Sequence, residues 1–186
     1  KPISPADAAR LRQWITDGAP YAGHWAFIPP AKAPLPAGPS HPVDAFIAAR
    51  LHKEGLSPSA PAEPEALCRR LHLDLIGLPP TPAALDAFAR DVAAKGLGPA
   101  ATELADALMK DRRFGEKWAR HWLDAARYSD SNGFEKDLPR DQWAWRDWVI
   151  NALNADFPYD QFIIEQIAGD LLPGSSQAQR VATGFL

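Results

Sequence analysis

The residues best suited to chemistry lie between positions 121 and 137. Asp130-Ser-Asn-Gly-Phe-Glu-Lys-Asp137 is a short polar loop dense in oxygen donors. Calcium takes about six to eight oxygen ligands, and alternating Asp and Asn followed by Gly and an acid is one way a loop supplies them. Asp130, Asn132, Glu135 and Asp137 are therefore a candidate metal set, although the full EF-hand spacing is absent. Asp130 and Glu135 are also candidate catalytic carboxylates, and His121 is a third candidate because imidazole titrates near neutrality. The structural alternative is a turn in which Asp and Asn bond their own backbone and Gly133 takes positive φ.

Two aromatic segments must position that loop, and together with it they hold five of the seven tryptophans. On a helical wheel, 114–128 places Phe114, Trp118, Trp122, Ala125 and Ala126 on one face, with His121 and Tyr128 at its flank. A second helix is expected from near Pro139 to Asn154. Trp143, Trp145, Trp148, Val149, Ile150, Ala152 and Leu153 cover most of its circumference, leaving a narrow stripe of Arg140, Asp147, Asn151 and Asn154. A helix apolar nearly all round is buried, so the stripe needs partners. The expected ones are the 130–137 loop with Arg127 or Asp124. This pattern favours a scaffold, with the loop as the place to search for chemistry.

The rest of the chain reads as helix punctuated by Pro and Gly. Ser4-Pro5-Ala6-Asp7 opens a short amphipathic helix with Ala8, Leu11, Trp14 and Ile15 on one face, stopped at Gly18. Residues 21–42 form a Pro-rich strap, in which Trp25, Phe27 and Ile28 are apolar enough to lie on the helical body. Further helices are expected over 43–54, 63–76, 81–94 and 99–110, and another after Asp160 closing at Gly169, with a turn at 174–176. No segment alternates as a strand does. The fold class is all-α, an irregular array of short helices with a Pro-rich N-terminal strap.

Composition removes several functions. A net charge of -3 and a pI near 5.9 argue against nucleic-acid binding. No apolar run is long enough to span a bilayer. Cys68 stands alone, so the chain has no internal disulfide and no Cys-x-x-Cys-His haem attachment. Gly-x-Ser-x-Gly, a Walker loop, the dinucleotide glycine fingerprint and His-Glu-x-x-His are also missing.

The run from His121-Trp-Leu-Asp-Ala-Ala-Arg-Tyr-Ser-Asp to Asp137 is similar to the hallmark of planctomycete-type cytochrome c proteins, the PSCyt group. So are Trp145-Arg-Asp-Trp-Val-Ile150, Phe157-Pro-Tyr-Asp-Gln-Phe162 and Gln166-Ile-Ala-Gly-Asp-Leu-Leu-Pro173. Leu11-Arg-Gln-Trp-Ile-Thr-Asp-Gly-Ala19 resembles the closing helix of a cytochrome c domain, and His24-Trp-Ala-Phe-Ile-Pro-Pro30 the junction after it. The resemblance implies three parts: the last helix of a preceding cytochrome c-like domain over 1–20, a linker over 21–42, and a helical domain over 43–186 that stops short of its own end. It implies an exported, periplasmic protein with haem c in flanking domains, which would be this chain's partners. It implies no particular reaction. The leading expectation is a non-haem scaffold for haem domains in electron transfer. A carbohydrate-active or other periplasmic enzyme using His121, Asp130 or Glu135 is the alternative, and a calcium-stabilised binding module is the third.

Overall fold

Prolines at the first helical turn and glycines at the last set most of the boundaries. The computed structural model describes residues 3–21, 23–39 and 41–185. Among them are nine α-helices and no strand, so the fold is all-α as expected. No helix among the described residues is long and apolar enough to cross a membrane. Contacts divide the chain into two units, residues 1–60 and 61–186.

The first unit holds α1 (Pro5–Thr16) and α2 (Pro42–Lys53). Ser4 caps α1, its Oγ accepting from the Asp7 amide at 3.1 Å, and Pro5 opens the helix. The apolar side chains Leu11, Trp14 and Ile15 are exposed, as are Trp25, Phe27 and Ile28 of the strap. Ala22 and Ser40 of the strap lie outside the described residues.

The second unit contains two cores. α3 (Pro64–Ile76), α4 (Pro82–Lys95) and α5 (Leu97–Met109) pack around Cys68, Phe88 and Ala100. Gly77 in the left-handed region ends α3, the usual role of glycine just past a helix. α6 (Arg112–Ala125), α7 (Trp143–Asn154), α8 (Tyr159–Ala168) and α9 (Gln177–Ala182) enclose Ala119, Trp145, Val149, Ala152 and Phe162. α3 also packs on α6, and Lys117 Nζ donates to the Asp74 carbonyl at 2.6 Å.

α6 and α7 are antiparallel. The Gly115 amide in α6 donates to Asn154 Oδ1 near the end of α7 at 2.8 Å. At the opposite end, Tyr128 stacks on Trp145 in the first turn of α7, with centroids 6.0 Å apart and planes 27° apart. Gly115 permits the close crossing: a Cβ there would stand 2.5 Å from the Ile150 carbonyl oxygen.

Three boundaries differ from expectation for physical reasons. α7 begins at Trp143 instead of near Pro139, because residues 138–140 pair with the preceding loop. Asn132 N donates to Leu138 O at 3.0 Å and Arg140 N to Asp130 O at 2.8 Å, around a bridge from Ser131 to Pro139. α6 stops at Ala125 instead of Tyr128, because Arg127 has φ +58°. The Tyr128 amide donates to Leu123 O and the Arg127 amide to Asp124 O, which forms a Schellman ending with arginine where glycine is usual. α9 was not expected at all; Ser176 and Gln179 form a reciprocal capping box that starts it.

Candidate functional site

The loop after α6 is a small folded-back ribbon. Gly133 has φ +64°, while Glu135 and Asp137 have φ +50° and +45°. Asp137 Oδ1 accepts from the Gly133 amide at 2.8 Å. The Ser131 hydroxyl and then that amide hold the Asp137 carboxyl below the usual carboxylate range. Asp137 thus closes the loop onto its own backbone. Glu135 and Asn132 are exposed at the tip.

Asp130 belongs to a different set. Its Oδ1 accepts from the Tyr128 hydroxyl, and Arg146 Nη1 stands 4.0 Å away. Arg146 also donates from Nε to Asp147 Oδ1 at 3.1 Å. Burial first, and the bond to Asp130 second, raise the Tyr128 pKa above the ordinary phenol value. The result is a chain of Tyr128, Asp130, Arg146 and Asp147 that locks the exit of α6 to the start of α7. Tyr128 and Arg146 were not among the candidates from sequence. The signal was a tyrosine two residues before an aspartate just past a helix end, and it becomes meaningful only once α7 is placed alongside.

His121 lies elsewhere. It is exposed on α6, its ring 5.5 Å from that of Trp118. Together with Trp118, Trp122, Phe157, Tyr159 and Phe162 it lines an aromatic cup of about 310 Å³. The lining of this cup contains no carboxylate. The three catalytic candidates therefore divide between the cup, the Tyr128 network and the loop tip. Among the described residues, no group of three or more His, Cys, Asp or Glu is placed to hold a metal ion.

The polar stripe expected on α7 does not act as one unit. Asp147 pairs with Arg146, Asn154 with α6, and Arg140 precedes the helix, while Asn151 is exposed. The burial expected of α7 is also incomplete: Trp145 is 4% exposed, but Trp143 is 57% exposed. Trp145 packs on Tyr128 in the core shared with α6, which Trp143, two residues earlier in the same turn, does not join.

A second cavity, of about 80 Å³, opens between the end of α6 and the start of α7. Arg127, Ser129, Arg140 and Gln142 supply its polar lining, and Tyr128 and Trp145 its aromatic wall. The fold-back of the loop creates it by returning Arg140 to the backbone of Asp130.

The family model PSCyt2, described as a protein of unknown function (DUF1549), matches residues 42–186. The chain belongs to that family. No curated protein and no solved structure matches it.

Proposed function

We propose that the chain is a non-haem helical module of an exported multidomain c-type cytochrome, where it holds haem domains in position for electron transfer. The observation that carries this reading is membership in a cytochrome-named family over residues 42–186 in a chain whose lone Cys68 is buried. Covalent haem c attachment takes two thiols and a histidine, so the module itself binds none. The interlocked α6–α7 pair fits a supporting role, because the remote Asn154 side chain bonds the α6 backbone twice at its crossing.

The test is the visible spectrum of the full-length parent protein. A Soret band and a sharpened α band on reduction are expected, with neither in the 186-residue chain alone. A parent without a Soret band overturns the reading.

A second reading, a carbohydrate-binding or carbohydrate-active protein, draws on the aromatic cup. Trp118 is 39% and Tyr159 70% exposed, and rings at a cup rim stack on sugar faces. The acid/base pair of a glycosidase is not in its lining. Titration with neutral oligosaccharides should quench tryptophan fluorescence if this reading holds, and an unchanged spectrum counts against it.

A further inference from the structure

We propose that the cavity between the end of α6 and the start of α7 binds a small oxyanion, a carboxylate or phosphate group, through Arg127 and Arg140. Arg127 and Arg140 both line this one cavity, and no carboxylate residue lines it with them. Neither arginine forms an ion pair among the described residues. Of the acids near them, Asp130 is engaged by Tyr128 and Arg146, and neither Asp124 nor Asp141 lines the cavity. A cavity lined by two arginines and no acid favours an anion over a cation. The planar fork of arginine matches both carboxylate and phosphate in bidentate fashion.

Arg127 occupies a left-handed position that favours glycine, as do Ala19, Glu135, Asp137 and Asp156. Two neutral groups complete the lining. Ser129 Oγ accepts from the Ser131 amide at 3.2 Å, which leaves its O–H to donate. Gln142 is the N-cap of α7, yet its side chain makes no capping bond. The two arginines carry the proposal, and the start of α7 at Gln142 beside them adds to it. Size sets the ligand class. A water needs roughly 10–15 Å³ on this measure, so about 80 Å³ admits a few waters or one oxyanion head but not a sugar ring. The rest of a larger ligand would lie outside in solvent.

This inference does not depend on the cytochrome reading. Its test uses the full chain and compares thermal unfolding in phosphate, sulfate and acetate with chloride at equal ionic strength. The expected result is a saturable rise in melting temperature with at least one oxyanion over chloride. Arg140→Gln should weaken that effect about tenfold or more. Its backbone bond to Asp130 does not involve the side chain, so the loop stays closed. Arg127→Gly should abolish the effect while folding at least as well as the parent chain, which separates lost binding from lost structure. Response to acetate alone assigns a carboxylate ligand, and response to phosphate or sulfate assigns a tetrahedral one. No oxyanion effect beyond chloride, or an effect that both variants retain, overturns the proposal.

Discussion

The Asn154 carboxamide closes onto the first turn of α6: Oδ1 accepts from Gly115 N at 2.8 Å, and Nδ2 donates to Arg112 O at 3.0 Å. The first amides of a helix have no partner inside the helix, so a side chain 39 positions later supplies one. The crossing leaves no volume at Gly115. A Cβ there would meet Ile150 O at 2.5 Å and Asn154 Cγ at 2.6 Å. Ile150 O is backbone, which cannot rotate away.

Gly115→Ala should therefore destabilise the chain despite alanine's better helix propensity. Overpacking of a tight contact costs roughly 1–3 kcal/mol. Propensity favours alanine by roughly 1 kcal/mol, so the clash must exceed that gain. Denaturant unfolding should show a lower midpoint with an unchanged slope. A midpoint at or above that of the parent chain would mean that α7 can move back freely, against the locked crossing described above.

Asp111 makes acid stability testable at one residue. Its carboxylate caps α6, accepting from the Arg113 amide at 2.9 Å and from Arg113 Nε at 2.8 Å. The Arg113 guanidinium first, and its amide second, lower the Asp111 pKa from 3.8 to about 2. A carboxylate with a depressed folded pKa adds stability above its unfolded value, and that stability is lost as pH falls through the folded one. The window is thus about pH 4 down to pH 2. Asp111→Asn keeps a good cap but removes the titration. The parent should be the more stable of the two near neutral pH, with the difference vanishing by about pH 2. A gap that does not change across this window excludes the ion pair as its source.

Much of the fold was legible because punctuation residues carry local physics. Pro42, Pro64 and Pro82 open their helices, and Gly77 and Gly96 end theirs at positive φ. The two misplaced boundaries each needed a partner distant in sequence or an uncommon backbone, whereas the start of α9 carries a local signal, the Ser176–Gln179 capping box. Pro139 reads as a helix start until the ribbon is known to engage residues 138–140. Arg127 reads as helix because nothing local marks a non-glycine residue for the left-handed region. The wheel placed Trp143 and Trp145 alike, but only the position of α6 distinguishes the exposed from the buried. His121, Asp130 and Glu135 were reasonable candidates by type, yet side-chain type does not convey convergence. The Arg127–Arg140 cavity depends on both misread boundaries, so it could not be seen before the fold was known.

Gln166 offers a test of polar satisfaction. It is 2% exposed, and its Oε1 accepts from Trp122 Nε1 at 3.3 Å. Its Nε2 has no hydrogen-bond partner among the described residues. Trp122→Phe removes the remaining partner, and a stranded buried amide costs about 1–3 kcal/mol in addition to the lost ring packing. Adding Gln166→Met removes the amide and should return part of that loss. A double-mutant cycle measures the coupling, and strictly additive costs would show that the indole–amide bond contributes nothing.

Arg127 gives the clearest prediction, because two effects oppose each other at one residue. Its φ of +58° costs an L-residue roughly 1–2 kcal/mol that glycine avoids. Glycine gives back roughly 0.5–1 kcal/mol through the greater freedom of the unfolded chain. Arg127→Gly should thus be neutral to about 1 kcal/mol more stable, a rise of up to about 2–4 °C in a chain of this size. Arg127→Ala keeps the backbone cost while losing the guanidinium, so it should melt below the glycine variant. The Schellman bonds from Tyr128 to Leu123 and from Arg127 to Asp124 are backbone bonds, intact in both. An alanine variant matching glycine would show that the left-handed turn relaxes without cost. A glycine variant well below the parent would show that the guanidinium holds the fold together, and with that the reason to regard it as reserved for a ligand would disappear.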